Sequence, residues 1–196
     1  TGEVHPGKIV WFDLLTLDPA GAERFYGGLL GWTFERRGDY SIAKDGGTAF
    51  AGILRMPPQA GHTPQARWVP LVSARDLDAA AVAVGRLGGK VMEGPGSLGA
   101  RGRYLAIADP RGAQLVLVSS ATGDAPDRDE PGPGWSWAEL WTDDPQRAAA
   151  FYKEVLGYET WQEGSGKAAT WVLASEGRVR ARITRMPFAK VTAQWM

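Results

Sequence analysis

The sequence predicts an α+β fold built from repeated β-α-β-β-β units, and three observations predict it. The first is an internal repeat. Trp11-Phe-Asp-Leu-Leu-Thr-Leu-Asp-Pro returns 126 residues later as Trp137-Ala-Glu-Leu-Trp-Thr-Asp-Asp-Pro. At the same offset, Ala22, Phe25-Tyr26 and Leu30-Gly31-Trp32 return as Ala148, Phe151-Tyr152 and Leu156-Gly157-Tyr158. Ile53-Leu-Arg-Met-Pro57 returns as Ile183-Thr-Arg-Met-Pro187, and Trp68 as Trp195. The second observation is a change of period inside each copy, from strand alternation to helical spacing and back. The third is residues 119–134, which carry three prolines, three glycines and four acids but no Leu, Ile, Val or aromatic residue. Such a stretch reads as a linker.

The elements follow in order. Residues 8–17 alternate and are rich in β-formers, so they form a strand. Asp18 and Asp144 are helix N-caps, each followed by proline at the first helical position. Ala22, Phe25 and Leu29 make an apolar stripe that Ala148, Phe151 and Val155 repeat. Gly31 and Gly157 stand where a left-handed C-cap is wanted. Short strands are expected at 32–36, 40–44 and 48–54. A degenerate second copy has a strand at 67–73, a helix at 76–87 and a strand at 90–93. It ends in a hairpin, 103–108 and 113–118, around Asp109-Pro-Arg-Gly112. The expected organisation is a domain at 1–118 with units 8–57 and 66–118, a linker at 119–134, and 135–196 as the first unit of a second domain. Trp195 opens the first strand of a fourth unit, so that second domain reads as truncated.

Composition excludes several functions. Lys plus Arg is 22 and Asp plus Glu is 22, so the basic excess that nucleic acid demands is missing. No apolar run approaches the ~20 residues of a membrane helix. There is no cysteine, which removes disulfides, thiolate metal sites and cysteine nucleophiles. The only histidines are His5 and His62, both read as solvent-facing. The expected partner is a small molecule, with no nucleic acid and no membrane. Pairing within one chain or across a homodimer is left open. A cytoplasmic location is expected; export or a periplasmic location stays open, because the sequence starts at Thr1 rather than Met.

The units, with Asp-Pro, Phe-Tyr and Leu-Gly-Trp after the first strand and Asp-Pro-Arg-Gly before the last, resemble the vicinal oxygen chelate superfamily. That superfamily includes glyoxalase I, extradiol dioxygenases, fosfomycin-resistance enzymes and bleomycin-resistance proteins. The resemblance implies paired units forming curved eight-stranded sheets that cup a ligand. It also implies metal ligands of His, Gln or Glu type on the first and last strands of a unit. The matching positions here are Trp11, Trp68, Trp137 and Val116. Tryptophan and valine do not coordinate such cations, so no metal and no cofactor are expected.

What remains looks like the metal-free branch, where the cup binds a flat molecule between aromatic walls. Residues i and i+2 share a strand face, so Trp11 projects with Asp13 and Trp137 with Glu139. A carboxylate beside an apolar wall is suited to acid–base work, or to holding a cationic ligand. It equally suits a structural bond to an arginine or a backbone amide. Asp13 and Glu139 are therefore the catalytic candidates. Trp11, Trp68, Trp137, Arg103 and Tyr104 are the ligand-binding candidates. The first reading is metal-independent binding of a small, partly aromatic molecule. The alternatives are a metal-independent lyase, isomerase or hydrolase, a metal-dependent glyoxalase or dioxygenase, and an interaction scaffold. Gly94-Pro-Gly96-Ser-Leu-Gly99 matches a nucleotide-loop pattern, but a strand rather than a helix follows it, so it reads as an inter-strand loop. Arg178, Arg180 and Arg182 share a strand face, read as solvated.

Overall fold

The computed structural model describes residues 2–56, 65–127, 135, 137–188 and 191–196. His62 and residues 128–134 of the expected linker lie outside the described residues. The first module comprises β1 (Ile9–Thr16), α1 (Pro19–Leu30), β2 (Thr33–Arg37), β3 (Tyr40–Asp45) and β4 (Thr48–Arg55). The second comprises β5 (Arg67–Ser73), α2 (Leu77–Arg86), β6 (Lys90–Ser97), β7 (Gly102–Ala108) and β8 (Gln114–Ser120). Then come β9 (Glu139–Thr142), α3 (Pro145–Leu156), β10 (Glu159–Glu163), β11 (Thr170–Ser175), β12 (Arg178–Arg185) and β13 (Gln194–Trp195). Hydrogen bonding joins eight strands in the order β2-β3-β4-β1-β5-β8-β7-β6, and five in the order β10-β11-β12-β9-β13. No described helix is long and apolar enough to cross a membrane.

The helix boundaries follow the capping chemistry. Asp18 accepts a hydrogen bond from the Gly21 amide at 2.9 Å, and Asp144 accepts one from the Arg147 amide at 3.2 Å. Gly31 and Gly157 are left-handed, with φ of 73° and 74°, and their amides close the last turns on Gly27 and Lys153. β6 runs four residues beyond the expected strand, because Gly94 and Gly96 leave room for β7. A Cβ on Gly94 would meet the Tyr104 carbonyl oxygen at 2.8 Å, and one on Gly96 the Tyr104 ring at 2.5 Å.

The residues fall into two compact units. The larger holds Thr1–Val10, Leu71–Asp127 and Trp137–Met196. The smaller holds Trp11–Pro70 and, among the described residues after Asp127, Trp135. In the larger unit α2 packs against α3, and Phe151, Tyr152, Val155 and Leu156 are all buried. The Tyr152 hydroxyl donates to Asp109 at 3.3 Å and accepts from Trp195 Nε1 at 3.3 Å. Burial pushes both the Asp109 carboxyl and the Tyr152 phenol upward.

Residues 119–127 are tied down rather than free. Asp124 is buried and accepts from the His5 amide at 2.7 Å and from Ser73 Oγ at 2.6 Å. Asp127 takes a fork from Arg180 at 2.7 and 2.9 Å, with Lys8 Nζ 3.0 Å away. Arg180 is 7% exposed, so the arginine face of β12 is not a solvated one at its centre. Composition alone did not reveal this, because Asp124 and Asp127 find their partners more than 50 residues away.

In the smaller unit, Phe12, Leu14 and Thr16 of β1 are buried, as the alternation requires. Phe50, Ala43 and Ala51 form a small core with Trp32, Phe34 and Trp68 packed on it. The expected buried stripe of α1 departs from the reading: Phe25 is 58% exposed and Leu29 64%. Tyr26 rather than Phe25 turns inward, stacking on Trp32 at 5.1 Å. Phe151 is buried because α3 has α2 beside it; no described element covers the matching flank of α1.

Candidate functional site

The site begins with the alternation of β1. Trp11 and Asp13 point to the face opposite Phe12 and Leu14. β1 runs parallel to β4 with Asp13 opposite Gly52, and β3 runs antiparallel to β4 with Tyr40 opposite Leu54. Ser41, next to Tyr40, donates to Glu23 of α1 at 2.6 Å. Tyr40 is therefore on the face turned away from α1, with Trp11 and Asp13. The three close a triangle. Trp11 Nε1 donates to Asp13 Oδ1 at 3.0 Å and to Tyr40 Oη at 2.9 Å, and Tyr40 Oη donates to Asp13 Oδ1 at 2.8 Å.

Gly52 makes the triangle sterically feasible. A Cβ there would stand 2.0 Å from Tyr40 Oη and 2.3 Å from Asp13 Oδ1. The arrangement is a half-buried carboxylate held by two neutral donors and flanked by an indole and a phenol. Such a group can accept a hydrogen bond from a ligand hydroxyl or amine, and Tyr40 offers a proton path to it. Sequence reasoning missed Tyr40 and Gly52, because their place depends on strand register across β1, β4 and β3.

The other predicted residues are distributed elsewhere. Trp68 is on the α1 side: its Nε1 donates to Tyr26 Oη at 2.9 Å, and its ring lies 4.7 Å from that of Trp135. Trp135 also contacts Phe12 at 4.4 Å. In the larger unit Trp137 is exposed, with the Arg182 guanidinium 5.6 Å from the ring centroid, a cation–π distance. Glu139 accepts a short hydrogen bond from Thr184 Oγ1 on the neighbouring β12. Arg103 forks onto Asp78 at 3.0 and 3.3 Å. Tyr104 donates to Glu93 at 2.6 Å, and that bond raises its phenol. Thus Trp11 joins Asp13, whereas Trp137 precedes the strand that starts at Glu139, so the two do not share a strand face there, and Arg103 and Tyr104 are each paired with an acid of their own.

The donor chemistry bears on a metal. Indole Nε1–H is a donor with no lone pair for a cation, and at both Trp11 and Trp68 it is spent on oxygen acceptors. Among the described residues one group of His and acids converges, His5, Asp127 and Glu176 in the larger unit. Its Asp127 is already neutralised by Lys8 and Arg180, and His5 Nδ1 meets Glu176 at 2.8 Å.

The Glyoxalase/Bleomycin resistance protein/Dioxygenase superfamily matches residues 8–117. The chain belongs to this superfamily. It is 34% identical over 161 residues to CFP32 of Mycobacterium tuberculosis (strain CDC 1551 / Oshkosh), provisionally named a glyoxylase. That match covers 79% of the chain and 62% of the relative. Identity is 30% over 168 residues to the anthracycline biosynthesis protein DauV of Streptomyces sp. (strain C5), covering 78% of the chain and 61% of DauV. The chain thus spans about three-fifths of the length of these curated relatives.

Among solved structures, the Mn(II)-bound glyoxalase from Novosphingobium aromaticivorans superposes with a TM-score of 0.65 at 18% identity, covering 95% of this chain and 64% of that one. BphC, a halotolerant catechol dioxygenase, gives 0.61 at 16% identity, covering 94% and 66%. At those identities the likeness is one of fold.

Proposed function

We propose that the chain binds a small, partly aromatic molecule without a metal, on the sheet face that carries Trp11, Asp13 and Tyr40. The observation that carries this reading is the hydrogen-bonded triangle of those three residues over Gly52. Two aromatic rings offer stacking area, and the carboxylate between them gives orientation. The residues at the superfamily's ligand positions do not fit a metal, because indole and isopropyl side chains supply no donor pair. A relative named for anthracycline biosynthesis supports a flat polycyclic ligand class.

A second reading, acid–base catalysis by Asp13, is favoured by one observation. The Tyr40 hydroxyl sits 2.8 Å from the carboxylate and could relay its proton. Glu139 in the larger unit has a comparable hydroxyl partner in Thr184.

The test is a fluorescence and calorimetric titration with an anthracycline, with and without a chelator. Binding that survives chelation and weakens at least tenfold in Trp11→Ala and Asp13→Asn, but not in Trp161→Ala, is the expected result. Binding that needs added Mn, Ni or Zn, or that ignores Trp11, would sink the reading. Turnover that Asp13→Asn abolishes while affinity persists would select the catalytic alternative.

A further inference from the structure

We propose that the groove between the start of α2 and the end of α3 is a further binding site, for a small organic cation: an ammonium group on a short apolar chain. The larger unit forms it alone, and Trp11, Asp13 and Tyr40 take no part in it. Its volume is about 490 Å³, within the range of small-molecule sites.

The floor is apolar. Ala79, Ala80 and Ala83 of α2 face Val155 and Leu156 of α3 across the groove. From Ala79 to Ala83 the helix rises about 6 Å, room for a short alkyl chain against side chains that are no more than methyl groups.

The rim is acidic at the end of α3. Glu154 is in the last turn of that helix, Glu159 follows its Gly157 cap, and Glu176 is in the β11–β12 turn; all three line the groove. The Gly157 amide closes on the Lys153 carbonyl, and among the described residues no backbone amide reaches the carbonyls of Glu154, Val155 and Leu156. A helix C-terminus carries partial negative charge, so carboxylates are misplaced there and a cation is favoured.

The protein's own cations do not fill this place. Arg86 reaches Glu154 at 3.4 Å, with both side chains more than half exposed. His5 Nδ1 meets Glu176 at 2.8 Å, and Arg180, 3.6 Å from Glu176, is committed to Asp127. Among the described residues no cation pairs with Glu159. Arg75 also lines the groove, but its guanidinium turns to the Val4 carbonyl at 3.5 Å. Asp76 is spent as the cap of α2, accepting from the amides of Asp78 and Ala79. Charge complementarity therefore sets the occupant. Its ammonium donates to Glu159 and to the open carbonyls of α3, and its apolar chain lies along the alanines.

The test titrates hexylammonium, hexanol and hexanoate into the 196-residue chain and follows the backbone amide resonances. Saturable binding of hexylammonium at about millimolar concentration is expected, with shifts confined to α2, the end of α3 and the β11–β12 turn. Hexanol should bind at least fivefold more weakly and hexanoate at least tenfold. Glu159→Gln combined with Glu154→Gln should weaken hexylammonium at least fivefold, and Trp11→Ala should leave it unchanged. Ala79→Lys, which plants an ammonium in the groove, should abolish binding; if that variant does not fold, the glutamine pair, both exposed positions, decides. Equal affinity for all three compounds, or loss in Trp11→Ala but not in the glutamine pair, overturns the proposal. So does magnesium or sodium binding at the same amides with no gain from the alkyl chain.

Discussion

Replacing Gly52 with alanine should dismantle the triangle at the candidate site. The backbone there does not need glycine's left-handed freedom, so the whole cost is steric. The new methyl would stand 2.0 Å from Tyr40 Oη and 2.3 Å from Asp13 Oδ1, well inside contact distance. Both groups must retreat by more than an ångström, and β1, β3 and β4 hold their backbones in register. Overpacking of this sort costs about 1–3 kcal/mol. Loss of the Tyr40–Asp13 and Trp11–Asp13 hydrogen bonds adds about 1 kcal/mol each. The lower entropy of an unfolded alanine returns about 0.4–1 kcal/mol. The net expectation is a destabilisation of roughly 2–4 kcal/mol, together with loss of anthracycline binding. Urea unfolding followed by tryptophan emission measures the first, and titration the second. Gly28→Ala is the control: its Cβ meets nothing within 4 Å, so it should stabilise α1 by about 0.5–1 kcal/mol. A Gly52→Ala protein that loses under ~0.5 kcal/mol and binds normally would refute the reasoning.

Three further outcomes are expected. Phe151→Ala should cost about 3–5 kcal/mol through cavity formation, while its counterpart Phe25→Ala should stay within about 0.5 kcal/mol; paired denaturant melts decide this. Asp127→Asn should destabilise the larger unit by about 2–4 kcal/mol at neutral pH by unpairing the buried Arg180, with Glu176 at 3.6 Å a partial substitute. The Arg180 fork and Lys8 hold the Asp127 carboxyl well below its usual range, so its contribution is present above the unfolded pKa of about 3.9 and fades as pH falls towards the folded value. A wild-type-minus-mutant difference that is flat from neutral to strongly acidic pH contradicts that assignment. Tyr40→Phe should keep the ring and weaken ligand binding three- to tenfold by freeing one lone pair of Asp13, a loss of about 1 kcal/mol, read by calorimetry.

Much of the fold was legible because its signals are local. Asp18-Pro19 and Asp144-Pro145 start their helices, and Gly31 and Gly157 end them, through contacts within four residues. β5 occupies the residues 67–73 expected for it. The site was half legible for the same reason. Trp11 and Asp13 are two apart on one strand, but Tyr40 and Gly52 reach them only through the β1–β4–β3 register. Repeat matching gives the position of Trp68 along its strand but not the Tyr26 hydroxyl that its Nε1 meets. Asp124 and Asp127 look like solvated linker acids until Ser73, Lys8 and Arg180 arrive from distant strands.

Trp135 has an optical consequence. Its indole lies 4.7 Å from that of Trp68 and 6.5 Å from that of Trp32, and Trp32 and Trp68 are themselves 6.4 Å apart. Transition dipoles that close and steeply inclined couple, so the three rings should yield an exciton couplet in circular dichroism. In the larger unit Trp195 meets Tyr152 rather than another indole. Among the described residues the indole cluster is that of the smaller unit, so the disappearance of its couplet on heating would time the melting of that unit without any label.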